Sequence, residues 1–122
     1  MSSDKPSHRG SPYAQELISH LQPHCTTHKT DPGEQLDLQV NGQSMCYLIL
    51  EGTIAIYKRS DDMMLTTARS PALFGLANLT DIYFNDYLKT VTPCLIGVLA
   101  TDRVAEVIKE KALWGLLSNH LM

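Results

Sequence analysis

The sequence lacks the features that mark several large classes of protein. It contains no run of basic residues and its formal net charge is −3, so a nucleic-acid surface within this segment is not expected. No stretch approaches the roughly 18 apolar residues of a membrane-spanning helix, and residues 1–6 lack the apolar core of a signal peptide. We therefore expect a cytoplasmic protein that makes no membrane contact.

The chain has few cysteines, and their spacing is typical of neither a disulfide-rich domain nor a zinc site. The three cysteines, Cys25, Cys46 and Cys94, are an odd number and form no C-x-x-C pair. Neither a set of disulfides nor a zinc knuckle is therefore indicated.

Histidine is absent from most of the chain. None lies between Lys29 and Asn119, which argues against a β-barrel metalloenzyme with histidine ligands on its strands. His20, His24 and His28 recur every four residues, but Pro23 argues against one continuous helix that would align them for zinc. No Ser-His-Asp or glycine-rich phosphate motif occurs either. We expect no metal site, no cofactor and no enzymatic activity.

A chain of 122 residues supports a single hydrophobic core. Its N-terminal part is predicted to be a tail followed by a short helix. Residues 1–11 are rich in Ser, Lys, Asp and Gly, and a disordered tail is expected there. Ser11-Pro12 is typical of a helix start, and Pro23 ends the helix. Its apolar face consists of Ala14, Leu17, Ile18 and Leu21.

In the middle of the chain, apolar residues recur at every second position instead of with the helical period. Leu36 to Val40 alternates apolar and polar residues, and Asn41-Gly42 is a strong turn dipeptide. Short strands at regular spacing, separated by turn residues, indicate a sandwich or barrel. The sequence predicts a mainly β fold, an antiparallel β-roll or jelly roll. Its further strands are predicted at 45–50, 53–58, 63–68, 88–91 and 94–100.

Helical periodicity returns after the last strand. Thr101 or Asp102 is suited to cap a helix whose apolar stripe comprises Val104, Val107 and Ile108. The β-roll domain is accordingly predicted to span residues 12–112.

Residues 113–122 carry a second apolar stripe. It runs to Met122 without a cap or polar tail, so we expect this helix to continue in a longer protein. The stripe is typical of a dimerisation helix, although it could instead pack on the β-roll, and Gly115 weakens its middle. The candidate dimerisation residues are Leu113, Leu116, Leu117 and Leu121.

The order of elements and three motifs carry a family resemblance. Tyr47 to Tyr57, which reads YLILEGTIAIY, has a strand, a Glu-Gly turn and a second strand. Leu73-Phe74-Gly75 follows, and Cys94 to Leu99 precedes the C-terminal helix. From Leu17 onward the chain resembles the cyclic-nucleotide-binding domain of the cyclic AMP receptor protein (Crp/Fnr) family of transcription regulators.

The resemblance implies a sensory domain that works within a larger regulator. Ala72 to Ala77 and Leu113-Trp114 are most similar to the IprA-type regulators of enterobacteria, named for inhibiting hydrogen peroxide resistance. Members of this branch dimerise and carry a winged helix that binds DNA. No such helix module is present up to Met122, so DNA contacts are expected only through a further C-terminal domain.

The cassette, which we define as residues 74–87, departs from the family in the groups that bind a cyclic nucleotide. The resemblance implies a glutamate after Gly75 and an arginine near the far end, but Leu76 and Phe84 occupy those positions. The segment contains no Arg, Lys or Glu, and its only charges are Asp81 and Asp86. A phosphodiester would lose hydration there without gaining a partner. We therefore expect binding of neither cyclic AMP nor cyclic GMP.

Two readings of the cassette remain open. In the first, its aromatic and apolar side chains line a pocket for an unidentified apolar small molecule. In the second, they collapse inward and fill the space that a nucleotide occupies in the family. The candidate ligand-binding residues are Phe74, Gly75, Leu76, Ala77, Asn78, Tyr83, Phe84, Asn85 and Tyr87.

Two further functions stay open beside ligand sensing. Cys25, flanked by His24 and close to His28, is the best candidate for a peroxide or redox sensor, because thiolate reactivity needs exposure and nearby positive charge. The other function is a ligand-free interaction or dimerisation domain.

Overall fold

Two β-sheets face each other, and helices cover the outer side of one of them. The computed structural model describes residues 7–9, 12–75 and 86–115. The helices are α1 (Pro12–Leu21), a 3-10 turn (Gln22–His24) and α2 (Thr101–Glu110). The strands are β1 (Ser7–Arg9), β2 (Thr26–Thr30), β3 (Gln35–Asp37), β4 (Gln39–Val40), β5 (Gln43–Glu51), β6 (Thr53–Lys58), β7 (Met63–Arg69), β8 (Ala72–Phe74), β9 (Asp86–Thr90) and β10 (Cys94–Ala100).

The strand order is that of a roll. One sheet has the order β1-β7-β6-β9-β3, and the other has the order β2-β10-β5-β4, with β8 also paired to β5. Every pairing is antiparallel among the described residues except that of β1 with β7. The predicted antiparallel β-roll with a short N-terminal helix and a C-terminal helix is confirmed.

Alternation along β5 divides the core into two parts. Tyr47 and Ile49 face the interior of the roll, whereas Cys46 and Leu48 face the helices. The interior also takes its buried side chains from both sheets, and the helix side takes them mainly from α1 and α2 and in part from β8 and β10. The helix-side cluster includes Leu17, Ile18, Leu21, Leu73, Leu99, Val104, Val107, Ile108 and Leu113, and the interior cluster includes Leu36, Ile54, Ala68, Ala72, Leu88, Cys94 and Ile96.

The start of α2 differs from the prediction. Ala100 occupies the N-cap position and no side chain caps the helix. Thr101 is buried instead, with its hydroxyl oxygen 3.5 Å from the sulfur of Cys46. Asp102 lies in the first turn, where its charge favours the helix dipole. The threonine is drawn inward because β10 runs directly into the helix and leaves its first residue against β5.

The end of α2 determines where Leu113, one of the candidate dimerisation residues, is placed. Ala112 has a φ of 55°, its N–H donates to Lys109, and the N–H of Leu113 donates to Ile108, which is a Schellman motif. Leu113 is thereby turned back into the helix-side core and is buried. Leu113 therefore packs on the β-roll, which is the alternative that the sequence left open for this stripe. The other candidates, Leu116, Leu117 and Leu121, lie outside the described residues.

Two segments form strands that their polar sequences do not predict. Ser7–Arg9, within the expected disordered tail of residues 1–11, pairs in parallel with β7. Thr26–Thr30 pairs with β10 and becomes an edge strand. Neither segment has an apolar period, and both take their order from hydrogen bonds to a neighbouring strand. In Thr26–Thr30, only its β-branched threonines hint at this conformation.

The predicted strand from Leu36 to Val40 is two strands in different sheets. β3 pairs with β9, whereas β4 pairs with β5 through the predicted turn at Asn41-Gly42, where both residues have positive φ. Between them, the carbonyl of Leu38 accepts the N–H of Met45. The chain crosses from one sheet to the other at Leu38 and closes one side of the roll.

No helix in residues 12–75 or 86–115 is long and apolar enough to cross a membrane.

Leu48→Ala tests the helix-side core. Leu48 is fully buried between β5 and the helices, so its truncation should lower the free energy of unfolding by about 2–5 kcal/mol. Leu65→Ala is the matched control, because Leu65 is half exposed on β7 and should change stability by less than about 0.5 kcal/mol. Urea unfolding of both variants measures the difference. Equal losses would contradict the described core.

Candidate functional site

The entry to the cassette is fixed by a close approach of two backbones. β8 pairs with β5, and Gly75 follows it with a φ of 104°. A Cβ atom at Gly75 would collide with the carbonyl oxygen of Met45 and lie 2.9 Å from the Cα of Cys46. Glycine is therefore required here both by conformation and by space. The candidates Leu76, Ala77, Asn78, Tyr83, Phe84 and Asn85 lie outside the described residues.

The two remaining cassette candidates, Phe74 and Tyr87, lie on different faces: Phe74 faces the interior of the roll and Tyr87 faces outward. Phe74 is half-buried against the interior cluster. Tyr87 pairs with Tyr57 and Asp37, and its neighbour Leu88 faces the interior, so alternation directs Tyr87 to the outer face. The structure does not bring Phe74 and Tyr87 together in one interior pocket.

On the outer face, Tyr87 is part of an aromatic and charged cluster. Its ring stacks on that of Tyr57 with centroids 5.3 Å apart, and Arg59 and Lys89 lie over the two rings at 5.1 and 5.4 Å. The hydroxyl of Tyr87 donates to Asp62 at 2.8 Å, and this hydrogen bond raises the pKa of Tyr87. These contacts hold the β6–β7 hairpin against β9.

An open space lies elsewhere, at the side of the roll where the edge strands β2 and β3 diverge. We call this space the edge cleft, and its volume is about 490 Å³. Its floor is apolar and its rim is polar. It is lined by His28, Lys29, Thr30, Glu34, Leu36, Val40, Asn41, Gln43, Met45, Tyr47, Ile96 and Val98.

Strand register decides which side chains of β2 enter the edge cleft. His28 pairs with Ile96 and Thr30 pairs with Cys94, and both partners belong to the interior cluster. Lys29 pairs with Leu95 and leaves the strand on the opposite face. His28 and Thr30 therefore supply an imidazole and a hydroxyl to the polar rim, and strand alternation directs the Lys29 side chain to the other face.

A network of hydrogen bonds fixes Glu34 at the rim. Its N–H donates to the hydroxyl of Thr90 at 2.9 Å, and that hydroxyl donates to the carbonyl of Asp31 at 2.6 Å. The N–H of Asp31 in turn donates to Oε2 of Glu34 at 2.6 Å. Thr90 is buried. The turn before β3 is thus anchored to β9, and the carboxylate of Glu34 is held by its own loop.

Tyr47 forms the aromatic part of the floor. Its hydroxyl donates to the carbonyl of Asp37 at 2.5 Å, which satisfies the polar end of a buried ring. Burial and the Asp37 carboxylate raise the pKa of Tyr47, so the phenol remains a neutral donor. No sequence motif had marked this cleft, because its lining comes from separate strands and loops.

The three cysteines differ in accessibility. Burial raises the pKa of the Cys46 thiol to about 11, so this thiol stays protonated and unreactive at neutral pH. Cys94 is also buried. Cys25 is half-buried beside Gly97, and its thiol donates to the carbonyl of Gln22 at 3.1 Å.

Near Cys25, His24 is engaged by α2. A guanidinium nitrogen of Arg103 lies 3.0 Å from Nδ1 of His24, and another lies 2.7 Å from Glu106. Because arginine only donates, Nδ1 of His24 is the acceptor in this contact. Among the described residues, no three His, Cys, Asp or Glu side chains are placed to hold a metal ion.

The fold resembles a solved regulatory domain. The crystal structure of the N-terminal domain of a transcriptional regulator from Streptomyces coelicolor A3(2) superposes with a TM-score of 0.63. Sequence identity is 18%, and the match covers 87% of this chain and 82% of that chain. No protein-family model and no curated protein matches the sequence. At this identity, the likeness establishes a shared fold.

Gly75→Ala tests the backbone approach at the cassette entry. Alanine should destabilise the protein by at least about 2 kcal/mol more at Gly75 than at Gly33, since crowding adds to the cost of positive φ. Gly33 is the matched control, because it has a φ of 85° but nothing within 4 Å of an added Cβ. Urea unfolding measures both. Similar losses would show that β8 does not pack on β5 as described.

Thiol labelling tests the ranking of the cysteines. In the native protein, Cys25 should react first with iodoacetamide at pH 7.5 and Cys46 at least about tenfold more slowly, since a buried thiol must wait for opening. Mass spectrometry of digested samples identifies each adduct. Cys25→Ser should remove the fast phase and Cys94→Ser should keep it. Fast labelling of Cys46 would contradict its burial.

Proposed function

We propose that this chain is the sensory domain of a bacterial transcription regulator of the Crp/Fnr type, with a degenerate cyclic-nucleotide site. The observation that carries the proposal is the β-roll followed directly by α2, a fold shared with the N-terminal domain of a transcriptional regulator.

The degenerate site is inferred from the composition of the cassette. A cyclic nucleotide needs a carboxylate for its ribose and a guanidinium for its phosphate. The segment from Phe74 to Tyr87 has neither an arginine nor a glutamate, and its two carboxylates would repel a phosphodiester. The entry at Gly75 makes a tight approach to β5.

The signal would reach the rest of the protein through α2. This helix is continuous with β10 and packs on β5, where Thr101 meets Cys46. It is also tied to the turn after α1 through the contact between Arg103 and His24. A ligand or partner that favours one position of α2 over another would bias whatever follows the helix.

The wider setting of the domain follows from the same family resemblance. We propose that the intact protein is a cytoplasmic homodimer that contacts DNA through a C-terminal domain. Leu116, Leu117 and Leu121 remain candidates for its dimerisation helix. The similarity of Ala72–Ala77 and Leu113-Trp114 to IprA-type regulators supports a role in the response to peroxide stress.

Titration with cyclic AMP and cyclic GMP tests the degenerate site. A ligand that binds only the folded state stabilises it by about 2.7 kcal/mol at a hundredfold excess over its dissociation constant, and the unfolding midpoint rises. We expect no shift for this chain at millimolar concentrations of either nucleotide. A cyclic-nucleotide-binding domain that retains the glutamate and the arginine serves as the positive control. A saturable shift for this chain would refute the proposal of a lost site.

A further inference from the structure

We propose that the edge cleft is a binding site for a small organic amine with an apolar or aromatic body. The site lies between β2 and β3, and Phe74, Gly75 and Tyr87 of the cassette do not line it. It is independent of the proposed role in transcription.

The described lining of the edge cleft differs from the cassette residues that the family resemblance implies. Of the cassette candidates that the structure describes, Phe74, Gly75 and Tyr87, none lines the cleft. Tyr87 is on the outer face of the opposite sheet. A ligand in the cleft would instead touch the edge strands β2 and β3, the β4–β5 turn and the inner faces of β5 and β10.

The floor of the cleft fits an apolar body. Leu36, Tyr47 and Ile96 are buried, and Met45 and Val98 are half-buried beside them. A volume of about 490 Å³ falls within the range of small-molecule sites. The ring of Tyr47 offers a flat surface, with its hydroxyl already engaged by Asp37.

The rim favours a positive charge. Among the described lining residues, Glu34 supplies a carboxylate, and strand alternation directs the side chain of Lys29 away from the face that His28 and Thr30 share. The carboxylate is held by the N–H of Asp31 through Oε2, which leaves its other oxygen to accept from a ligand. An ammonium group gains from this carboxylate, whereas a carboxylate or phosphate would be repelled.

The neutral groups of the rim complement the same ligand. Asn41 and Gln43 supply amide oxygens, and His28 supplies a ring nitrogen that can accept a hydrogen bond. The position of Asn41 is set by the positive-φ turn at Asn41-Gly42. An amine with three N–H donors can use several of these acceptors at once while its apolar body covers Tyr47.

Paired probes separate the charge from the apolar body. The folded chain is titrated with 2-phenylethylamine and with 3-phenylpropionate, and two-dimensional NMR follows the amide signals of β2, β5 and β10. The amine should bind saturably, with signals of His28, Met45 and Ile96 shifting, and the acid should bind at least about fivefold more weakly.

Glu34→Gln tests the carboxylate at the rim. This variant should weaken the amine about fivefold and leave the acid unchanged or slightly stronger. Glu51→Gln is the matched control, because Glu51 is an exposed carboxylate at the far end of β5, outside the cleft lining. It should bind the amine as the unaltered chain does.

Val40→Trp tests the position of the site without disturbing the core. Val40 is an exposed valine on the rim, so a tryptophan there should obstruct the cleft and weaken the amine. Val91→Trp is the control, since Val91 is similarly exposed but lies outside the lining.

The outcomes distinguish this inference from the proposed function. Equal binding of amine and acid, an unchanged affinity in Glu34→Gln, or equal effects of the two tryptophan variants would overturn the amine site. None of these results changes the expected outcome of the cyclic-nucleotide titration. Neither outcome of that titration overturns the amine site.

Discussion

The pairing of β5 with β10 is the interaction on which the rest of the structure depends. These strands share the longest antiparallel ladder of their sheet, and both are apolar on both faces. One face supplies the interior of the roll and the other supports α1 and α2. A strand that must bury both faces reads as a near-continuous apolar run, which is how residues 45–50 and 94–100 appear in the sequence. A slip of one residue would exchange the two cores.

This shared sheet also links the candidate sites to the helices. Met45 and Tyr47 line the edge cleft, and the residue between them, Cys46, meets Thr101 at the start of α2. A ligand that shifted β5 on its inner face would therefore move the helix that packs on its outer face. Packed strands transmit such shifts because protein interiors have little free volume. Gly75 also rests on the backbone of Met45 and Cys46, so the start of the cassette contacts the same strand.

The outer and inner faces of the sheet β1-β7-β6-β9-β3 make different contacts. Leu88 and Ile54 fill the roll, while Tyr87, Tyr57 and the cations over their rings stabilise the hairpin from outside. The loss of cassette charge and the outward direction of Tyr87 both weaken the case for a ligand at the family position. The edge cleft offers an open apolar floor and the carboxylate of Glu34.

The sequence by itself determined the β-roll, the turn at Asn41-Gly42, the two apolar central strands and the absence of phosphate-binding charge from the cassette. These are local properties, since period, turn chemistry and composition can be seen within a few residues. Only the tertiary structure decided that Leu36 and Val40 lie in strands of different sheets, that Leu113 turns back into the core, and that polar β2 is a strand. It also assembled His28, Glu34, Tyr47 and Ile96 into one cleft. Those outcomes depend on which distant segments pair and in what register, and no local pattern carries that information.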